Sequence, residues 1–134
     1  MSERAPYVEQ FTIVAPAVAQ GATGVSAVLK VPFAGTVSAA SYTPVANVTG
    51  NTSASRTLTL VNKGADGNGT TVIGTLAFAT GVDATDYNES AFTLSVVADA
   101  TTVAAGDVIA FSSAFVGAGL ADPGGLVSVS LSRG

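Results

Sequence analysis

The chain of 134 residues has no histidine, no cysteine and no tryptophan, and only 10% of its residues are charged. Each shortage closes off chemistry. Without His or Cys there is no thiolate, no imidazole base, no Ser-His-Asp triad and no zinc site of the usual ligand set. Disulfides are excluded as well, so the sequence carries no mark of an oxidising compartment in either direction. Basic residues number 5 against 9 acidic ones, for a net charge of -4 and an isoelectric point near 4.3. Lys30, Arg56 and Lys63 are too scattered to form the cationic patch that displaces counterions from phosphates, so nucleic acid is not an expected partner. No cofactor and no metal are expected.

Soluble domains carry roughly a quarter charged residues. Much of this surface must therefore be Ser, Thr, Ala and Gly, which suits contact with protein better than catalysis. At 13.1 kDa the chain would expose about 6,400 Å² folded and about 19,000 Å² unfolded, enough burial for one core and one domain. Residues 11–19 (FTIVAPAVA) imitate a signal-peptidase site, and residues 10–29 lack charge. Glu3 and Glu9 beside Arg4, and Pro16, Gln20, Gly21 and Gly24 within the run, favour a strand followed by a turn over a leader or a membrane span.

What the chain does have is alternation. Val25, Ala27, Leu29 and Val31 share one parity and Ser26, Val28 and Lys30 the other. Leu58 and Leu60 alternate with Thr57 and Thr59; Phe92, Leu94 and Val96 with Thr93 and Ser95; Val127, Val129 and Leu131 with Ser128 and Ser130. Period two is the signature of half-buried strands. Turn-forming clusters recur between these runs, at 21–24, 32–35, 48–53, 63–71, 81–88, 104–107 and 117–125. Together they predict an all-β fold, a single β-sandwich or jelly-roll-like domain of about eight short strands over residues 11–134. Residues 1–10 (MSERAPYVEQ) are expected to be an extended N-terminal arm that orders against a neighbouring subunit. Its contact residues would be Arg4, Tyr7, Val8 and Phe11, joined by Phe115 and Leu120 of a later loop.

Three clusters resemble chemical motifs, and each has a plainer account. Gly64 and Gly69 have phosphate-loop spacing, but Thr70 stands where that loop needs lysine. The segment 64–69 reads better as a hairpin loop in which glycines and Asn68 supply positive φ. Asp66 and Asn68 resemble the start of a calcium loop, yet Ala77 occupies the place of the bidentate glutamate. Asp83, Asp86 and Glu89 are the densest acidic group, and they sit in a turn-forming stretch with one aromatic nearby, Tyr87. No enzymatic activity is expected. Gly106-Asp107 and Asp122-Pro123-Gly124-Gly125 read as tight turns with an Asx-type bond and a proline-set φ.

The run Arg56 to Thr71 (RTLTLVNKGADGNGTT), then Gly106 to Phe111 (GDVIAF), then Gly117 to Arg133 (GAGLADPGGLVSVSLSR) resembles the small capsid decoration proteins of tailed bacteriophages, especially those infecting actinobacteria. The similarity covers roughly residues 37–133 and carries no active-site motif. It implies a virion protein, made in the bacterial cytoplasm, that sits on the outer surface of the assembled head and cements adjacent major capsid proteins. It further implies a homo-oligomer, with a trimer favoured, and no membrane partner. The alternative is a head-fibre or tail-associated β module that binds host surface glycan.

Overall fold

The computed structural model describes residues 7–133. Among them there is no helix, and the strands are β1 (Tyr7–Ala15), β2 (Gly24–Lys30), β3 (Gly35–Pro44), β4 (Ala54–Asn62), β5 (Thr71–Ala77), β6 (Ser90–Ala91), β7 (Thr93–Leu94), β8 (Thr102–Val103), β9 (Val108–Gly117) and β10 (Gly125–Arg133). They form two antiparallel sheets. The first has the order β1-β10-β3-β6, with β8 also on β3; the second has the order β2-β9-β4-β5-β7. The two pack face to face as a β-sandwich, the expected class. Of the ten strands seven are long and three are only two residues, against about eight expected.

The inward parity of each long strand supplies the core. Val37, Ala40 and Tyr42 of β3 and Val127, Val129 and Leu131 of β10 meet Leu58 and Leu60 of β4, Ile73 of β5, and Ile109 and Phe111 of β9, all buried. Tyr42 and Phe111 stack across the two sheets with ring centroids 6.3 Å apart. Burying each large apolar side chain contributes roughly 1.5–3 kcal/mol relative to exposure, so these layers supply the driving force. The Leu58/Leu60 and Val127/Val129/Leu131 alternations point inward as their pattern requires.

Three expectations are corrected. In β2 the inward side chain is Val28, while Val25 is 71% exposed. A bulge between Ala27 and Leu29 shifts the pairing on β9 by one residue, so both Val28 and Val31 turn inward despite opposite parity. The run from Phe92 to Val96 is not one strand: within it only Thr93–Leu94, β7, is a strand, paired with β5 in the second sheet, while β6 just before it pairs with β3 in the first. The chain changes sheets at buried Phe92, whose N–H donates to Ala40 O at 2.9 Å, and Val96 is left wholly exposed. In the β4–β5 hairpin loop Gly64 and Gly67 take positive φ but Asn68 does not; its N–H donates instead to Asp66 Oδ1 at 3.0 Å. Of the arm expected over residues 1–10, residues 1–6 lie outside the described residues, and Tyr7 to Gln10 pair with Arg133 to Ser130 of β10.

Candidate interaction surface

Two arrangements distinguish the molecule: a buried polar cluster that pins one end of the sandwich, and two outer sheet faces with little charge. The cluster follows from β4 parity. Arg56 shares the inward face with Leu58 and Leu60 and is 1% exposed. Its Nε donates to Leu120 O at 2.6 Å, one terminal nitrogen to Ser113 O and Oγ at 3.0 and 3.1 Å, and the other to Ala19 O and Ala22 O, both at 3.0 Å. Ser113 in turn donates to Asp122 Oδ2 at 2.7 Å. Asp122 Oδ1 also accepts from Gly124 N at 2.9 Å and from the Tyr42 hydroxyl.

One hydroxyl, that of Ser113, thus separates a buried cation from a buried anion. Among the described residues no buried side-chain N or O lacks a partner, the condition under which such a cluster is tolerable. Burial pushes the Arg56 guanidinium below its ordinary range, an effect opposed by the charge of Asp122. Burial, and then the bond to Asp122, pushes the Tyr42 phenol far above its ordinary value. The cluster ties segments 16–23 and 118–124 to β3, β4 and β9. It is inward and filled, so its role is to fix these loops.

The outer face of the first sheet carries Val8, Gln10, Thr12 and Val14 from β1 beside Ser132, Ser130, Ser128 and Leu126 of β10, then Ala39, Ser41 and Thr43 of β3. Thr12 and Ser128 share a hydroxyl bond of 2.9 Å. A depression of about 100 Å³ lies there, between Gln10, Ser41, Glu89 and Ser130. The second sheet presents Val25 and Ala27, then Ala110, Ser112 and Ala114, then Thr57, Thr59 and Val61, then Thr75 and Ala77. None of these strand positions is ionisable.

Apart from Glu9 in β1 and the buried Arg56 in β4, charge among the described residues lies in loops and at strand ends. Lys30 closes β2; Lys63 and Asp66 lie in the β4–β5 loop; Arg133 closes β10 with its guanidinium carbon 4.3 Å from the centre of the Phe33 ring. Apolar side chains are exposed at two rims. Val14, Val45 and Leu126 border a groove of about 360 Å³, and Val72, Leu94, Val96 and Val97 border one of about 320 Å³.

The candidate contact residues are not gathered into one patch. Arg4 lies outside the described residues, and Tyr7 is described only as the first backbone position of β1. Val8 is 55% exposed on the outer face, whereas Phe11, three positions on, turns inward and packs on the core, as does Leu120. Phe115 is 40% exposed and sits near the Ala15–Gly125 end, seven strand positions from Val8, or roughly 23 Å. What the sequence reading missed are Arg56, Ser113, Asp122 and Tyr42, together with the exposed valines. The parity of Arg56 with Leu58 and Leu60 was the available signal for the first.

The three carboxylates considered for catalysis do not converge on one site. Asp83 accepts from Gly50 N at 2.8 Å, Glu89 accepts from Ser41 Oγ at 2.8 Å, and the backbone N–H of Asp86 donates to Asn47 Oδ1 at 2.8 Å. Among the described residues no group of three or more acidic side chains could hold a metal ion. No helix of the described chain is long and apolar enough to cross a membrane. No protein-family model matches the chain, and no curated protein and no solved structure matches it.

Proposed function

We propose that this protein is a capsid decoration protein, which binds the outer surface of an assembled phage head and cements neighbouring major capsid proteins as a homo-oligomer without catalysing a reaction. The observation that carries the reading is the scarcity of ionisable side chains on the outer faces of both sheets, where Lys30 at the end of β2 and Glu89, which accepts from Ser41 Oγ, are the exceptions. Burying such a face against a protein lattice strips water mainly from methyl groups and from hydroxyls, whose loss a hydrogen bond across the interface offsets, and from few ions, whose desolvation costs far more. The three segments that resemble decoration proteins support it too. They form β4 with its hairpin, the start of β9, and the loop and strand of β10, strands interior to the two sheets.

The mechanism is mass action. A protein that binds the mature shell and not its precursor or its dissociated subunits stabilises the shell by about 2.7 kcal/mol per site at a free concentration one hundred times Kd. Glycan binding is less well supported, since it needs exposed aromatic faces beside donors: Tyr42 is fully buried, and Tyr87 stands 73% exposed in a loop. The test is to add the purified protein to mature shells that lack it and melt them. Saturable binding with a higher shell disruption temperature is the expected result; shells that neither bind the protein nor melt higher refute the proposal.

A further inference from the structure

We propose that the outer edge of β1 is a homodimerisation edge, on which a second copy of this chain lays its own β1 antiparallel across a two-fold axis at Phe11. An unpaired edge exposes a row of backbone donors and acceptors, and proteins blunt such edges by shortness, bulges, charge or proline. Three of the four edges here are blunted by shortness or by a bulge, and β1 carries only the charge of Glu9. The first sheet ends on β3 in β6 and β8, and the second ends in β7, all of two residues. At the other end of the second sheet β2 carries a bulge and closes on Lys30. Only β1 is long and unbroken: nine residues, Tyr7 to Ala15, in continuous register with β10 and with no strand on the far side among the described residues. The flanking prolines, Pro6 and Pro16, lie just outside it.

The occupant follows from the pattern of β1 itself. A symmetric antiparallel pair centred on Phe11 is the register that matches all nine positions. It sets Val8 of one copy opposite Val14 of the other, Gln10 opposite Thr12, and Phe11 opposite its own symmetry mate. Val8 and Val14 are 55% and 75% exposed on the outer face; in this register each covers the other, and cross-strand pairs of this kind are the unit of sheet stabilisation. Val14 already lies beside Leu126 on the rim of the 360 Å³ apolar groove, so the incoming Val8 extends cover over that groove. Glu9 falls opposite Ile13, and the two Glu9 side chains are held about 14 Å apart along the strands, beyond the physiological screening length of about 8 Å. The first sheets of the two copies then form one continuous sheet.

A paired strand of about 31 Å is a narrow contact beside the roughly 1,600 Å² of a standard interface, so the dimer is expected to be weak and concentration-dependent. This contact stands independently of the shell-binding reading, and at this edge it puts a two-fold association in place of the threefold one the resemblance implies.

The register dictates the experiment. The full chain is sedimented from about 1 μM to about 1 mM, alongside two double variants at exposed positions. V8K/V14K places like charges opposite each other twice and should lose the dimer; V8K/V14E places opposite charges there and should keep it. Because the chain lacks cysteine, Val8→Cys and Val14→Cys report position directly: mixed and oxidised, they should yield a disulfide-linked dimer, while neither alone should, since like positions lie about 20 Å apart. A monomer at every concentration, an oligomer unaffected by V8K/V14K, or equal cross-linking by a single variant would each overturn the proposal. An unchanged melting temperature at low concentration verifies that the variants fold.

Discussion

Replacing Arg56 by Met removes the cation at the centre of the buried cluster while keeping most of the apolar stem. Five hydrogen bonds go with it, to the carbonyls of Leu120, Ser113, Ala19 and Ala22 and to the Ser113 hydroxyl. Asp122 keeps its donors from Tyr42, Ser113 and Gly124 but stays buried without a compensating charge. Breaking a buried charge pair from one side costs about 3–5 kcal/mol, against a total stability of roughly 5–15 kcal/mol. For a chain of this size the melting temperature should fall by about 10–15 °C. Asp122→Asn leaves the mirror-image fault and should cost a similar amount. Because both charged groups bond to Ser113, the double variant should cost less than the sum of the singles, by about 1–3 kcal/mol. Urea unfolding of the four proteins measures the cycle, with an unchanged m-value as the check that the same surface unfolds. A loss below about 1 kcal/mol for Arg56→Met, or additivity within about 0.5 kcal/mol, would refute the assignment of this cluster as the pin between the loops.

Other outcomes follow from the same geometry. Tyr42 holds its proton in the folded state above the pH, about 10, at which an unfolded tyrosine ionises. Its contribution is therefore intact below pH 10 and lost as pH rises beyond it, by up to about 1.4 kcal/mol per pH unit; Tyr42→Phe should be less stable at neutral pH yet lack that part of the alkaline slope, as urea midpoints at about pH 8 and 11 would reveal. Gly119→Ala should destabilise by about 1–3 kcal/mol, because φ is +77° and a Cβ would lie 2.5 Å from Phe115 Cβ. Gly67→Ala, with φ of +82° and open space around it, should lose about 1 kcal/mol; equal losses in thermal melts would contradict the steric account of Gly119. Replacing Asp83, Asp86 and Glu89 together by Asn, Asn and Gln should leave shell attachment unchanged in a co-sedimentation assay, and loss of attachment would place that loop in the interface.

The fold class was legible because strands buried on one face write their burial into alternate residues. Leu58 and Leu60, and Val127, Val129 and Leu131, are examples, since no irregularity interrupts their ladders. The failures occur where pairing breaks step. The β2 bulge inverts the face of Val25 and Ala27, and nothing in GVSAVLK marks where the extra residue sits. At Phe92 one alternating run serves two sheets, a property of the partner strands and not of the run. Arg56 was concealed by a sound general rule, that arginine seeks water, which yields only where serine, aspartate and four carbonyls from distant segments converge on it. The exposed valines were readable as residues but not as surface, because exposure of Val14 or Val96 depends on neighbours supplied by topology.

The most direct test of the functional account is the copy number of this protein relative to the major capsid protein in purified phage particles, measured by quantitative mass spectrometry. A ratio within a few-fold of one is the predicted result, since the shell surface is the place in a virion that offers so many equivalent sites. A handful of copies per particle, or none, would contradict it.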